Sequence, residues 1–270
     1  MIVQLWRLIY KMFLCVAAMI FYFTAASALF LLPVERYKKK NILSHINSFF
    51  AWIFIWILNI RAVFTGENNY SDKKSWYIMG NHVSFVDVFL IVARFRTLLI
   101  TSTDMKKRAF LGQVAVISGC LFVDRHKITT LRNEIPEIGN AFRRKLNVCF
   151  FPESTCSNGQ KLLPFKSSLM SAVTGTGAEI LPVCIMYKKI NNSVFKPDDF
   201  ARIGYFGGMK FMPQFMKVMM LKSLDVELEM LKPLPPENLE RKELGAIVFE
   251  RVNSRYQSYL EEIGAVSKEI

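Results

Sequence analysis

The feature that most constrains this chain is an uncharged apolar run at residues 12–32. The run is 21 residues long, and a helix of about 20 residues spans the hydrocarbon core of a bilayer. Arg7 and Lys11 precede it, and a larger basic cluster at residues 36–40 follows it. By the positive-inside rule, this asymmetry predicts a membrane protein whose remaining chain lies on the cytoplasmic side. A cleaved signal peptide is the alternative, but its apolar core is usually shorter.

A second apolar stretch, residues 42–60, contains several polar side chains, and Trp52 and Trp56 lie four residues apart on one helical face. Such a segment can span the bilayer, lie in its interface or return as the second arm of a hairpin. A core helix of the following domain is the alternative. We therefore predict an N-terminal unit of membrane-associated helices at residues 1–62.

The composition limits the classes of partner. Lys and Arg outnumber Asp and Glu by 35 to 22, hydrophobic residues make up 52%, and the mean hydropathy is +0.24. A basic chain suits nucleic acid, an anionic substrate or an anionic bilayer surface, and the apolar N-terminus favours the bilayer. We expect no nucleic-acid partner, since no base-reading helix stands out.

The five cysteines and three histidines predict neither disulfides nor a metal site. The cysteines are widely separated and form no CxxC pair, which is typical of reduced and mostly buried thiols. None of the histidines has a second His or Cys at the spacing of metal ligands.

The remaining chain, residues 63–270, shows short apolar runs that alternate with helical patterns. Strands are predicted at residues 75–80, 119–123, 147–151, 180–187 and 224–230, and helices at 88–94, 106–116, 130–145 and 241–263. Residues 224–230 alternate strictly, as a half-buried strand near a sheet edge does. Pro182 suggests that its strand lies at a sheet edge or at the wall of a site. This pattern predicts an α/β domain with a mixed sheet flanked by helices.

The sharpest chemical signal is NHVSFVD at residues 81–87, between a predicted strand and a predicted helix. Residues five apart on a helix point away from each other, so His82 and Asp87 can meet only if His82 precedes the helix. Asp87 would then orient the imidazole and leave its other nitrogen free to act as a base. The alternative is purely structural, because Ser84 and Asp87 also have the spacing of a capping box.

Two further motifs each follow a predicted strand. GCLFVDR at residues 119–125 ends in Arg125, which can bind a phosphate through two parallel hydrogen bonds or pair with Asp124 at the surface. FPESTCSNG at residues 151–159 places Glu153 before a loop of small polar residues, whose backbone N–H groups can face an anion.

Taken in order, NHVSFVD, GCLFVDR, FPESTCS and LPV resemble the conserved blocks of the glycerolipid acyltransferases typified by 1-acylglycerol-3-phosphate acyltransferase. The resemblance covers about residues 60–235. It implies that His82 is the general base and Asp87 its orienting partner. It also implies a substrate-binding set, with Arg125 on the acceptor's phosphate or head group: Asn81, Ser84, Arg125, Glu153, Ser154, Thr155 and Lys166.

This chain departs from the family pattern at two positions. Ser154 replaces the usual glycine, which creates crowding if that position needs a positive φ angle. Cys156 stands where members acting on lysophosphatidate often have arginine, and a thiol cannot grip a phosphate. The segment LPFKSS at residues 163–168 is similar to a branch acting on other lysolipids, such as lyso-ornithine lipid.

The resemblance therefore implies an O-acyltransferase that moves a fatty acyl group from acyl-CoA or acyl carrier protein to a lysolipid hydroxyl. Neither a cofactor nor a covalent acyl-enzyme is required. The expected acceptor is 1-acylglycerol-3-phosphate, with lyso-ornithine lipid as the alternative. Two other functional hypotheses stay open. One is a catalytically silent protein that binds membrane lipids, and the other is an interfacial hydrolase that uses the same base on water.

Overall fold

The computed structural model describes residues 2–124 and 128–265, with side chains for residues 4–124 and 134–265. The helices longer than one turn are α1 (Ile2–Leu31), α2 (Arg36–Leu58), α3 (Phe85–Phe95), α4 (Leu111–Ile117), α5 (Ile128–Arg143), α6 (Phe200–Ile203), α7 (Phe211–Met220) and α8 (Arg241–Glu262). The strands are β1 (Ile60–Thr65), β2 (Trp76–Gly80), β3 (Thr97–Ser102), β4 (Leu121–Val123), β5 (Asn147–Phe150), β6 (Glu179–Ile190), β7 (Ser193–Val194) and β8 (Leu224–Met230).

The strands form one mixed sheet in the order β1-β8-β6-β2-β5-β3-β4, and β7 pairs with the end of β6. The pairs from β6 through β2, β5 and β3 to β4 are parallel, whereas β8 runs antiparallel to β6. Helix α8 packs against β6, α5 packs against β4 and β5, and α2 packs against α3. The predicted α/β fold with a mixed sheet flanked by helices is therefore confirmed.

Burial explains the strand positions. Every residue of β2 is buried, as expected for a strand covered on both faces. In β8, buried residues alternate with half-buried carboxylates, and only β1 separates this strand from the sheet edge. The strict alternation of residues 224–230 thus predicted both the strand and its place near an edge.

The N-terminal helices form a hairpin that is firmly attached to the sheet domain. Within the described residues, α1 and α2 are both long and apolar enough to cross a membrane. Helix α1 exposes large apolar side chains, including Trp6, Phe13 and Phe21, which agrees with the predicted membrane-associated segment. Along α2, Lys40 donates a hydrogen bond to the Gly119 carbonyl, and polar side chains farther along α2 bond to the domain as well.

The structure also corrects several of the predictions made from the sequence. Strands β1 and β3 were not predicted, and the predicted helix at 106–116 is a short 3₁₀ turn followed by α4. Pro182 does not lie at a sheet edge, because β6 runs between β2 and β8. The ladder to β8 begins one residue later, at Val183, so the missing N–H of Pro182 costs no ladder bond on that side. The domain division at residue 62 stays a prediction, and β1 runs across it.

All five cysteines are free, as predicted. Cys15, Cys149 and Cys184 are buried, whereas Cys120 and Cys156 are half-buried.

Candidate active site

The site begins where β2 ends, at the centre of the sheet. Gly80 allows a close approach to β6, because a Cβ atom there would lie 2.7 Å from the Val183 carbonyl oxygen. The buried Asn81 then holds β6 through both ends of its amide, donating to the Ile185 carbonyl at 2.9 Å and accepting from the Ile185 N–H at 2.8 Å. The predicted substrate-binding side chain of Asn81 therefore fixes the position of the next residue, His82.

His82 and Asp87 meet as the sequence predicted, with His82 in the turn before α3. The Nδ1 atom of His82 lies 3.0 Å from Oδ2 of Asp87. Since Nδ1 faces the carboxylate, Nε2 is the nitrogen that can exchange a proton with a substrate. The His82 side chain is 16% exposed, whereas Asp87 is fully buried.

Ser84 and Asp87 also form the capping box that was the structural alternative. Asp87 therefore orients His82 and caps α3 at the same time. Its Oδ2 atom accepts hydrogen bonds from the backbone N–H groups of Val83 at 2.7 Å and Ser84 at 2.8 Å. The Ser84 hydroxyl accepts from the Val86 N–H at 3.3 Å and donates to the Ile203 carbonyl at 2.6 Å. The buried Ser84 hydroxyl, which we predicted to bind substrate, is thus engaged in capping α3 and in tethering α6.

Tyr187 is a member of the site that the sequence analysis missed. Its buried hydroxyl donates to Oδ1 of Asp87 at 2.5 Å, and its backbone carbonyl accepts from the Tyr259 hydroxyl at 2.8 Å. The only sequence signal was an aromatic residue near the end of an apolar strand. Tyr187 completes the set of donors around the carboxylate, so that both oxygens of Asp87 are satisfied.

The loop after β5 closes around His82 through its backbone. Glu153 is buried and accepts from the His82 N–H at 2.6 Å and from the Leu163 N–H at 2.8 Å. The Ser157 N–H donates to the His82 carbonyl at 2.7 Å. Burial raises the pKa of Glu153 to about 7, against the hydrogen bonds from the two backbone groups. The predicted Glu153 therefore orders the loop and the histidine, with both oxygens occupied.

The other predicted binding residues lie on the outer part of this loop. Ser154 has a φ angle of 65°, the left-handed conformation that favours the family's usual glycine. Ser154 is half-buried, and Thr155 and Lys166 are exposed. Their substrate-binding roles stay predictions. Arg125 lies outside the described residues.

Three neighbours, Phe151, Cys156 and Asp87, surround the imidazole of His82. The ring of Phe151 stacks on His82, with ring centroids 4.0 Å apart and planes inclined by 13°. Burial alone would lower the pKa of His82, but nearby Cys156 and the hydrogen-bonded Asp87 outweigh it and raise the pKa above 6.5. The environment thus favours the imidazolium, which forms when the histidine accepts a proton.

The fold and this geometry define a class of site. A histidine at the end of a central strand is oriented by a buried carboxylate and lies beside a loop of small polar residues. Such a pair is suited to removing a proton from a hydroxyl group.

The comparisons show which proteins this chain resembles. Residues 61–186 match the family model described as Acyltransferase.

Curated relatives are similar over different lengths of the chain. A 1-acyl-sn-glycerol-3-phosphate acyltransferase of Neisseria gonorrhoeae is 33% identical over 41% of this chain and 43% of its own length. The aligned part thus spans less than half of that relative. A lyso-ornithine lipid O-acyltransferase of Brucella abortus is 24% identical over 93% of this chain and 95% of its own length.

A solved structure supports the fold over the whole chain. The 1-acyl-sn-glycerophosphate (LPA) acyltransferase of Thermotoga maritima superposes with a TM-score of 0.67 at 20% identity, covering 99% of both chains.

Proposed function

We propose that this protein is a membrane-associated O-acyltransferase that transfers a fatty acyl group to the hydroxyl of a lysolipid. The observation that carries the proposal is the contact between His82 and the buried Asp87 within the residues that match the Acyltransferase family model. The exposed apolar face of α1 supports access to a lipid acceptor from the bilayer. The basic residues 36–40 support an arrangement with the domain on the cytoplasmic side.

In the proposed reaction, His82 Nε2 takes the proton of the acceptor hydroxyl as that oxygen attacks the thioester carbonyl of the donor. The new ester bond forms, the carbon–sulfur bond breaks, and the departing thiolate recovers the proton from the imidazolium. Asp87 holds the ring in the tautomer that leaves Nε2 open and stabilises the positive charge that forms. Acyl-CoA or acyl carrier protein is the proposed donor, and no cofactor enters the reaction.

The proposed acceptor is 1-acylglycerol-3-phosphate, which is the acceptor of the enzymes that typify the resembled family. Lyso-ornithine lipid is the second candidate, and two observations favour it. The Brucella relative named for that acceptor is similar along almost the whole chain. Cys156, close enough to His82 to affect its pKa, offers no positive charge to a phosphate.

The test offers labelled acyl-CoA or acyl carrier protein to the purified full chain in vesicles, with either lysolipid or with none. A labelled diacyl lipid that requires the acceptor supports transfer, and the better acceptor gives the higher kcat/KM. Release of free fatty acid without an acceptor would indicate the hydrolase. The absence of any product with both donors and both acceptors would support the silent lipid binder.

Replacing Cys156 with serine should shift the rising limb of the pH–rate profile to lower pH by about one unit. The sign follows from the base role: His82 acts only when deprotonated, and Cys156 raises its pKa. The measurement is kcat/KM between pH 5 and 10. The control is Cys120→Ser, which alters the other half-buried cysteine. An unchanged Cys156→Ser profile would contradict the coupling.

A further inference from the structure

Two adjoining cavities lie along the helical hairpin, away from His82. The first is an open groove of about 410 Å³ between α1 and α2. The second has a volume of about 290 Å³ and lies where α2 ends. They share Leu14, Trp56 and Ile57, so they form one continuous depression. None of the candidate active-site residues lines either cavity.

The two cavities differ in chemistry. Apart from the indole N–H of Trp56, the groove is walled by apolar side chains, among them Ala17, Phe21, Phe49 and Ile53. The second cavity is walled by three cationic residues, namely Arg7, Lys11 and Lys222. No Asp or Glu from the described residues lines it. The depression is therefore apolar along its length and positively charged at one end.

Lys11 gives the charged end a fixed position. Its buried ammonium donates to the carbonyl of Leu58 at 2.9 Å and to that of Leu221 at 3.0 Å. An ammonium group has three N–H donors, so a third is available to a ligand in the cavity. Arg7 donates one hydrogen bond, to the Met220 carbonyl at 3.2 Å, and a guanidinium has five donors. Lys222 is exposed beside them.

Aromatic side chains indicate the depth at which the positively charged end of the depression lies in a bilayer. Trp56 and Tyr10 line the charged cavity and are 68% and 56% exposed. Tryptophan and tyrosine are enriched where a membrane protein meets the head-group region. The charged cavity thus has the composition of the interface, and the apolar groove continues from it along the exposed hairpin.

We infer that this depression is a binding site for one anionic phospholipid of the surrounding membrane. The phosphate lies among Arg7, Lys11 and Lys222, and one acyl chain lies in the groove between α1 and α2. Three cations without a neighbouring carboxylate repel one another, and a phosphate compensates them. This site does not depend on the reaction proposed at His82, since its residues belong to the hairpin and to the segment that follows α7.

The test uses native mass spectrometry of the full chain in detergent, with phosphatidylglycerol or phosphatidylcholine carrying identical acyl chains. We expect one bound phosphatidylglycerol, with at least tenfold preference over phosphatidylcholine. The double variant Arg7→Gln/Lys222→Gln should lose that preference. The control Lys73→Gln/Lys242→Gln removes the same charge from exposed lysines of the sheet domain and should keep it.

A second pair of variants tests the groove without changing charge. Ala17→Trp fills the groove and should lower phosphatidylglycerol binding about tenfold, whereas Val16→Trp, on the exposed side of α1, should not. Thermal melting without added lipid checks that each variant is folded. If the double variant Arg7→Gln/Lys222→Gln does not fold, the single variant Lys222→Gln, at an exposed position, takes its place. Equal binding of both lipids, or equal losses in a variant and its control, would overturn the site.

Discussion

Replacing His82 with alanine should lower the rate of acyl transfer by about 10²–10⁴-fold, the usual contribution of a positioned general base. The reason is geometric: His82 is held next to Asp87 and is the only described histidine near the polar loop. The fold should survive, because the backbone bonds of His82 to Glu153 and Ser157 do not involve the imidazole. The measurement is kcat/KM for labelled acyl-CoA with the better acceptor.

His45→Ala is the matched control, since His45 is exposed on α2. It should transfer acyl groups at the rate of the unaltered protein. Binding to anionic vesicles, measured by flotation, should be the same for both variants. Full activity of the His82→Ala variant would contradict the assignment of His82 as the general base.

Replacing Asp87 with alanine should reduce both activity and stability. The imidazole loses its orienting partner, and the donors on Val83, Ser84 and Tyr187 are left without their acceptor in a buried site. Removing one partner of a buried, hydrogen-bonded charge typically costs about 3–5 kcal/mol. We expect a comparable fall in the free energy of unfolding, measured by denaturant titration, and a rate loss similar to that of His82→Ala.

Two further variants separate the orienting role of Asp87 from its structural one. Tyr187→Phe removes only the hydroxyl on Oδ1 and should cost about 1–3 kcal/mol of stability with a smaller rate loss. Asp198→Asn, at an exposed position, should change neither quantity. A stable Asp87→Ala variant with normal activity would show that the carboxylate neither orients the ring nor caps the helix.

Local chemistry explains why the centre of the site was predictable. His82 and Asp87 lie five residues apart, and the helix cap at Ser84 sets their geometry within a single turn. These features depend on neighbours along the chain. The φ angle of 65° at Ser154 meets the condition under which replacing the family's usual glycine creates crowding, and that condition came from the family resemblance.

Tyr187 was not predictable, because it reaches Asp87 across 100 residues of sequence. Its place depends on the register between β2 and β6, which no short pattern encodes. For the same reason, the sequence did not show that both oxygens of Glu153 are taken by backbone groups. Strand β3 was missed because its apolar run is short, with Thr97 before it and two further polar residues after it.

The attachment of α2 to the sheet domain bears on how the proposed enzyme would meet a lipid acceptor. Lys40 near the start of the helix, Ser48 in its middle and Asn59 at its end all bond to carbonyl groups of the following domain. The hairpin is therefore not a flexible anchor, because these hydrogen bonds attach it to the sheet domain as one rigid unit. In the proposed function, the depth at which the hairpin enters the membrane would therefore fix the height of His82 Nε2 above the bilayer. Swapping the hairpin for an unrelated anchor would keep the protein at the membrane but lose that alignment.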